Sequence, residues 1–296
     1  MKILILGFGY SAGAFARELK ALEPEGAIVG TVRHAEKAAE LEATGVQPFI
    51  FDGDTASAEL LEALASATHL LVSVPPDGEG DPVLRALGPA IAQAKTLQWI
   101  GYLSTVGVYG DFGGAWIDET APCQPVNPRS QMRVRVEGEW RDLARQKTLP
   151  LLILRLAGIY GPGRSGFNKL RNGTARRINK PGQVFNRIHV ADIGRITALA
   201  ALRGLDGTFN LSDNHPAPPQ EVMAHAAELL GVPTPPEVSF AEAEMTPMAR
   251  SFYQDNKRVC STAILRALST ELQFSTYREG LAAVLAEEQS LKFTQL

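Results

Sequence analysis

A short apolar run followed at once by spaced glycines constrains the fold of this chain more than any other feature. Residues 3–6 read Ile-Leu-Ile-Leu with no polar alternation, which is typical of a central parallel strand buried on both faces. Glycines follow at positions 7, 9 and 13, and apolar residues then recur at helical spacing. The sequence therefore predicts a strand, a glycine-rich turn and a helix in direct succession.

Such a turn is typical of a binding site for the pyrophosphate of a dinucleotide. Gly7 can adopt the backbone angles of a tight turn, Gly9 leaves room for a phosphate, and Gly13 allows close packing of the helix on the strand. The helix N-terminus offers N–H groups and a partial positive charge to an anion. The predicted cofactor-binding residues are Gly7, Gly9, Tyr10, Ser11 and Gly13. The alternative is a strand-to-helix turn that binds nothing.

Strand and helix patterns alternate through the first half of the chain. After the first strand, the predicted strands cover 27–33, 47–51, 69–74, 98–104 and 151–156. The predicted helices between them cover 35–44, 56–66, 82–95 and 129–147. This alternation predicts an α/β fold with a Rossmann-type, doubly wound parallel sheet.

A smaller, mostly helical C-terminal substrate lobe is predicted to follow, with helices over 220–230, 257–267 and 277–289. We expect the dinucleotide-binding domain to comprise residues 1–160 and about 186–212. Residues 161–185 and 213–296 would then form the substrate-side lobe.

Arg33 predicts which dinucleotide is bound. An acidic residue at the end of the second strand suits the ribose of NAD, whereas an arginine there suits the extra phosphate of NADP. The sequence has Arg33 at this point and no carboxylate before Glu36. We therefore expect NADP(H), with NAD(H) less favoured; the alternative is a solvated surface arginine.

Two further strand ends are predicted to contact the cofactor. Asp52 closes the third strand and either accepts a hydrogen bond from the adenine amino group or caps the following turn. Ser73 and Pro75 follow the fourth strand, and ligands of open α/β sheets bind at the carboxyl ends of strands.

Composition excludes several other classes of protein. The 296 residues carry a net charge of −3, which does not favour nucleic-acid binding. The two cysteines and five histidines show no metal-ligand spacing, so no metal is predicted. The first apolar run is too short for a secretory signal, and no run approaches a membrane span. We expect a cytoplasmic protein that does not bind membranes.

Later motifs resemble those of the extended short-chain dehydrogenases/reductases, which include the sugar-nucleotide epimerases and dehydratases. The matching segments, in the family's order, are Tyr102–Gly110 (YLSTVGVYG), Leu154–Arg164 (LRLAGIYGPGR), Arg187–Ile193 (RIHVADI), Gly207–Leu211 (GTFNL) and Tyr277–Leu281 (YREGL). The resemblance implies the same nucleotide-binding fold. It also implies that Ser104 or Thr105 supplies the hydroxyl that polarises the substrate.

The sequence departs from the family at two places. The family's glycine motif would place glycine at position 10, where this chain has Tyr10, a departure that resembles the atypical branch. The family also carries a Tyr-x-x-x-Lys pair followed by a Glu. Aligning that Glu with Glu139 places Gln131 at the tyrosine and Arg135 at the lysine, and no tyrosine lies between positions 109 and 160.

This second departure concerns the acid of the reaction. Glutamine has no titratable proton, and losing a general acid or base costs roughly 10²–10⁴ in rate. Arg135 could still bind ribose hydroxyls, as the lysine does. Tyr109 is a candidate substitute acid; the alternative is a tyrosine that packs over its loop and holds a backbone group.

A basic stretch follows the second family motif. Between Gly161 and Ala191 there are seven cations and no Asp or Glu. Arg164 and Arg187 are the predicted substrate contacts, which would suit an anionic small molecule. The alternative is a solvated face, and a homodimer is compatible with everything above.

Two functions remain open on the sequence. The first is an NADP(H)-dependent oxidoreductase or epimerase/dehydratase-like enzyme acting on a small or nucleotide-linked hydroxyl or carbonyl compound. The second is a catalytically silent NADP(H)-binding sensor or regulatory protein, which the loss of the tyrosine–lysine pair favours.

Overall fold

The computed structural model describes residues 1–294 of the chain, which divide into two compact units. Unit 1 comprises Met1–Thr105, Pro128–Arg155 and Ile193–Phe209. Unit 2 comprises Val106–Asn127, Leu156–Asp192 and the chain from Asn210 onward. Four segments that we predicted as part of the dinucleotide-binding domain therefore lie in unit 2: residues 106–127, 156–160, 186–192 and 210–212.

The strands have the following bounds: β1 Lys2–Leu6, β2 Ala27–Val32, β3 Gln47–Ile50, β4 His69–Val72, β5 Trp99–Thr105, β6 Trp116–Ile117, β7 Leu151–Leu156, β8 Gly158–Tyr160, β9 Arg177–Asn179, β10 Arg187–His189, β11 Gly207–Leu211, β12 Glu237–Ser239 and β13 Arg258–Val259. The helices have the following bounds: α1 Tyr10–Leu22, α2 Ala35–Glu42, α3 Ala58–Ser66, α4 Pro82–Gln93, α5 Pro128–Lys147, α6 Phe167–Arg171, α7 Val190–Leu202, α8 Pro219–Leu230, α9 Pro247–Ser251, α10 Thr262–Ala267 and α11 Tyr277–Thr294.

A seven-stranded sheet with the order β11-β7-β5-β4-β1-β2-β3 forms the centre of the fold. The pairings of β1 with β2 and β4, of β2 with β3, and of β4 with β5 are all parallel. All the predicted strands and the helices between them are present, with ends shifted by up to two residues. The predicted Rossmann-type doubly wound fold is confirmed.

The core of unit 1 explains why these segments form strands. Ile3, Leu4, Ile5 and Leu6 are at most 1% exposed, as expected for a strand covered by helices on both faces. The indole N–H of Trp99 donates to the backbone oxygen of Leu205 at 2.9 Å, so even the polar atom of this buried ring has a partner.

Close packing of α1 depends on a different glycine from the one predicted. A Cβ at Gly13 would make only ordinary contacts, 3.8 Å from the ring of Phe8, so Gly13 is not needed for packing. A Cβ at Gly194 in α7 would lie 2.6 Å from the backbone of Ala14 in α1. The glycine that brings a helix close to α1 is therefore Gly194, which no local motif marks.

Unit 2 combines helices with three short parallel sheets. The paired strands are β8 with β10, β9 with β12, and β6 with β13. The helix predicted over 257–267 begins only at Thr262, because Arg258 and Val259 pair with Trp116 and Ile117 as strands. Over residues 1–294, no helix combines the length and apolar character that crossing a membrane requires.

Candidate functional site

The predicted nucleotide site of unit 1 lies where the strand order reverses. From β1 the chain proceeds through β2 and β3 on one side, and β4 starts the other side. In open α/β sheets, ligands bind at the carboxyl ends of the strands at this point. A Cβ at Gly7, directly after β1, would lie 2.7 Å from the side chain of Val74, directly after β4. The two strand ends are therefore in contact.

Thr31 of β2 fixes the glycine turn. Its hydroxyl oxygen accepts from the N–H of Gly7 at 2.9 Å, and its backbone oxygen accepts from the N–H of Phe8 at 2.7 Å. Gly7 has a φ of 87°, which a side chain would strain. Thr31 is 1% exposed. Its role follows from a long-range contact that sequence spacing does not indicate.

The N-terminus of α1 is built to receive an anion. Gly9 is the N-cap residue, has no side chain with which to cap the helix, and is followed by no acidic residue in the first turn. A Cβ at Gly9 would meet no atom within 4 Å, so the backbone is open to a ligand. Tyr10 and Ser11 are the first two helical residues, and Ser11 is buried. The structure thus brings these predicted residues together at one helix end.

Arg33 follows β2 at the same edge of the sheet and is exposed. Throughout the described chain its guanidinium has neither a hydrogen-bond partner nor an ion-pair partner. The helix that follows begins at Ala35, and the side chain of its N-cap residue His34 makes no capping bond. An anion could therefore bind at this corner without breaking a contact of Arg33.

Asp52 is exposed and caps the turn after β3. Its Oδ1 accepts from the N–H of Asp54 at 3.0 Å and of Thr55 at 3.4 Å, and the first of these bonds is the main cause of a lowered pKa. The turn-cap alternative describes this geometry. Ser73 and Pro75 lie at the end of β4, and the N–H of Ser73 donates to the Leu6 oxygen at 2.9 Å.

Ser104 belongs to a buried charged network in unit 1. Its hydroxyl donates to Glu137 Oε1 at 2.6 Å. The same carboxylate accepts from Arg155 at 3.1 and 2.7 Å and from Arg141 at 3.0 Å. Glu137 is 0% exposed and Ser104 is 5% exposed. The Ser104 hydroxyl is therefore committed to Glu137, and Thr105, the other predicted hydroxyl, is half-buried at the end of β5.

The network also changes the alignment of α5 with the family pattern. Glu139 makes only an exposed ion pair with Arg135, at 2.7 Å, whereas Glu137 is the buried carboxylate. If Glu137 is the family's glutamate, the lysine position falls on Arg133 rather than on Arg135. Gln131 and Arg135, both predicted as catalytic, are exposed on the helix.

Arg133 contacts the carboxyl end of β5. Its Nη1 donates to the hydroxyl of Tyr102 at 2.7 Å and to the backbone oxygen of Leu103 at 3.1 Å. Its guanidinium carbon lies 5.4 Å from the centre of the Tyr102 ring. Tyr102 is fully buried, and burial raises the pKa of its hydroxyl well above the usual range. We did not predict Arg133 from the sequence, because either Glu137 or Glu139 could be aligned with the glutamate of the family pattern.

Tyr109 and the predicted substrate contacts belong to unit 2. The Tyr109 hydroxyl donates to Asn210 Oδ1 at 2.8 Å, and the ring is 0% exposed. A proton held in a buried hydrogen bond is poorly placed to reach a substrate, so the packing alternative fits this geometry better. This bond goes to a side chain, whereas the packing alternative named a backbone group.

Part of the positive charge of the basic stretch is compensated within unit 2. Carboxylates of later helices and strands pair with Arg171, through Glu288 at 2.5 Å, and with Arg177, through Glu237 at 2.9 Å. Arg187 is half-buried and donates to two backbone oxygens, at 2.9 and 3.1 Å. Arg164 is exposed. Carboxylates therefore compensate the charge of Arg171 and Arg177, two of the seven cations of the basic stretch.

Comparison with known proteins agrees with this geometry. The model of the NAD dependent epimerase/dehydratase family matches residues 89–207. A conserved protein of unknown function from Silicibacter pomeroyi is 45% identical, with 97% of this chain and 99% of that chain covered and a TM-score of 0.86. Protein YeeZ of Escherichia coli K12 is 28% identical over 244 residues, 79% of this chain and 85% of that protein.

A second solved structure shares the fold. The structure of dTDP-glucose 4,6-dehydratase from Bacillus anthracis, solved with NAD, covers 98% of this chain and 97% of its own, with a TM-score of 0.79 at 15% identity. The five sequence motifs, the strand order and the family match agree with one another. Residues 89–207 thus match the model of the NAD dependent epimerase/dehydratase family, and the chain has the fold of an epimerase/dehydratase structure.

Proposed function

We propose that the protein is an NADP(H)-dependent oxidoreductase or epimerase-type enzyme that acts on a small or nucleotide-linked hydroxyl or carbonyl compound. One observation carries the choice of cofactor: Arg33, which is exposed and has no partner among residues 1–294, stands at the end of β2, beside a glycine turn whose helix has no side-chain cap. We place this enzyme in the cytoplasm.

The electrostatics of unit 1 support NADP(H) over NAD(H). The first turn of α1 supplies backbone N–H groups and a partial positive charge for the pyrophosphate. Arg33 supplies a guanidinium for the additional phosphate, and the segment from Ala27 to Ala35 contains no carboxylate that would repel it. A charge-assisted hydrogen bond of this kind contributes about 1.5–3 kcal/mol. Ser73 and Pro75 would flank the ribose or nicotinamide at the β4 end.

A catalytically silent NADP(H) sensor is the second candidate. It is favoured by the exposure of Gln131 and by the exposed pairing of Arg135 with Glu139, since neither residue reproduces the proton chemistry of a tyrosine. Both candidates require the same cofactor site and differ only in turnover.

Thermal-shift titration with NADPH, NADP, NADH and NAD tests the cofactor. A ligand at 100 times its dissociation constant stabilises a protein by about 2.7 kcal/mol. We expect NADPH to raise the melting temperature more than NADH, and Arg33→Ala to weaken NADPH binding by roughly 10–100-fold while leaving NADH unchanged. Arg145→Ala removes one exposed cation of α5 and serves as the charge-matched control.

One result tests the choice of cofactor, and a second decides between the enzyme and the sensor. A larger shift with NADH than with NADPH would contradict the role of Arg33. NADPH consumption with a carbonyl substrate would establish the enzyme, and binding without consumption across a broad panel would favour the sensor.

A further inference from the structure

Unit 1 lacks an accessible tyrosine at the end of β5. Of the chain's six tyrosines, only Tyr10 and Tyr102 belong to this unit. Tyr10 is the first residue of α1, and the fully buried Tyr102 accepts a hydrogen bond from Arg133. A reduction at this sheet edge would therefore need another group to meet the negative charge that develops on the substrate oxygen.

Arg133 is pre-oriented for that task. Two hydrogen bonds from Nη1 and the face of the Tyr102 ring hold its guanidinium at the carboxyl end of β5. Across the described residues, its Nε and Nη2 have no partner, and the side chain is only half-buried. A guanidinium stays charged at any working pH and offers donors in a fixed plane. Its free donors can therefore bind an oxyanion without first breaking a contact.

The hydroxyl chemistry of the same edge agrees with this assignment. Ser104 donates to Glu137, so its proton is not available to a substrate. Thr105 is the last residue of β5, follows Leu103 by two positions, and is half-buried. Arg133 contacts the backbone oxygen of Leu103, so both Arg133 and Thr105 lie at the carboxyl end of β5.

We infer that Arg133 is a catalytic residue that stabilises the alkoxide of a carbonyl substrate, with Thr105 as its companion donor, in place of a tyrosine acid. Bound NADPH would supply the hydride: its C–H bond would break, the new C–H bond would form on the carbonyl carbon, and the π electrons of C=O would move onto oxygen. The guanidinium of Arg133 would hold the resulting alkoxide, which takes its proton from water. The products are the alcohol, NADP⁺ and the hydroxide that the water leaves behind. This inference rests on the proposed function.

The absence of an acid in this scheme predicts the substrate class. Without proton donation, the reaction depends on how stable the alkoxide is, so an electron-withdrawing group beside the carbonyl favours turnover. α-Keto esters and related activated ketones should therefore react, whereas ordinary ketones should not. An arginine does not titrate in the working range. The profile of kcat against pH should therefore contain no rise or fall between pH 6 and 9 that is caused by residue 133.

The experiment uses the full-length protein with ethyl benzoylformate as the activated ketone and acetophenone as the ordinary one. Arg133→Met should lower kcat for the keto ester by about 10²–10³-fold, the loss typical of one oxyanion donor. Arg133→Lys should restore part of it. The affinity for NADPH, measured by fluorescence titration, should stay within threefold, which separates this role from a structural or cofactor-binding one.

Two further variants make the result specific. Arg145→Met removes an arginine of the same helix that is 76% exposed, and it should retain wild-type kcat. Arg135→Met tests the alternative alignment: if it abolishes turnover and Arg133→Met does not, the inference is overturned. NADPH binding without any reduction of the keto ester also overturns it, while leaving the cofactor proposal intact. Failure to bind NADPH would instead refute the proposed function.

Discussion

Replacing Glu137 by glutamine should destabilise unit 1 far more than the same change two residues away. Glu137 is fully buried and holds Ser104, Arg141 and Arg155 through four hydrogen bonds of 2.6–3.1 Å. Arg155 is itself only 4% exposed, so removing the carboxylate leaves its charge in a medium that cannot hydrate it. Breaking a buried pair in this way costs about 3–5 kcal/mol.

The matched control is Glu139→Gln on the same helix. The side chains of Glu139 and its partner Arg135 are 36% and 65% exposed, and a surface pair of this kind contributes about 0–1 kcal/mol. Both variants replace a glutamate of α5 by glutamine, so they differ in burial and in partners but not in chemistry.

Thermal unfolding followed by circular dichroism gives the comparison. At roughly 2–4 °C per kcal/mol for a unit of this size, Glu137→Gln should lower the melting temperature by about 6–20 °C. Glu139→Gln should lower it by no more than about 4 °C. Equal shifts for the two variants, or a loss below about 2 °C at position 137, would refute the assignment of a buried charge network.

Three further predictions concern single residues. Thr31→Val removes the acceptor of the Gly7 N–H and should weaken NADPH binding by roughly tenfold, about 1.4 kcal/mol, in a fluorescence titration; unchanged affinity would remove Thr31 from the site. Gly194→Ala should lower the free energy of unfolding, measured by urea denaturation, by about 1–3 kcal/mol, because its Cβ would lie 2.6 Å from the backbone of α1. The control Gly138→Ala in α5, which has open space at its Cβ, should be neutral or stabilising. The reverse order would contradict the packing. Burial raises the pKa of Asp213 to about 7, so the contribution of its protonated carboxyl to the free energy of unfolding is complete below about pH 4 and is lost as the pH rises through 7. The melting temperature of Asp213→Asn should therefore exceed that of the wild type at pH 8 but not at pH 4. A difference that stays constant with pH would argue against a buried, protonated carboxyl.

Much of the fold could be predicted because its signals are local. The apolar run before Gly7, the glycine turn and the alternating strand and helix patterns each depend on neighbouring residues, and all are present. The position of Arg33 at the end of β2 followed from the same counting. The helix expected over 257–267 failed for the opposite reason, since pairing with β6, about 140 residues earlier in the chain, determines the conformation of its first part.

The residues of the candidate site at the end of β5 were harder to predict, because their partners are distant in sequence. The sequence alone could not show whether Glu137 or Glu139 corresponds to the glutamate of the family pattern. The structure distinguishes them because Arg155 of β7 is buried and pairs with Glu137. The charge of the basic stretch likewise depends on Glu237 and Glu288, which lie in later elements. Periodicity places α5 correctly but carries no information on which of its closely spaced arginines meets β5.

The uncapped first turn of α1 has a practical consequence for anyone measuring affinities. A helix end that offers only main-chain amides, with Gly9 as its cap, will accept sulfate or inorganic phosphate as well as a nucleotide. Buffers that contain these ions will therefore compete with the dinucleotide and make it look weaker than it is. Titrations in a chloride-based Tris buffer avoid that error, and adding sulfate back gives a simple occupancy assay for the turn.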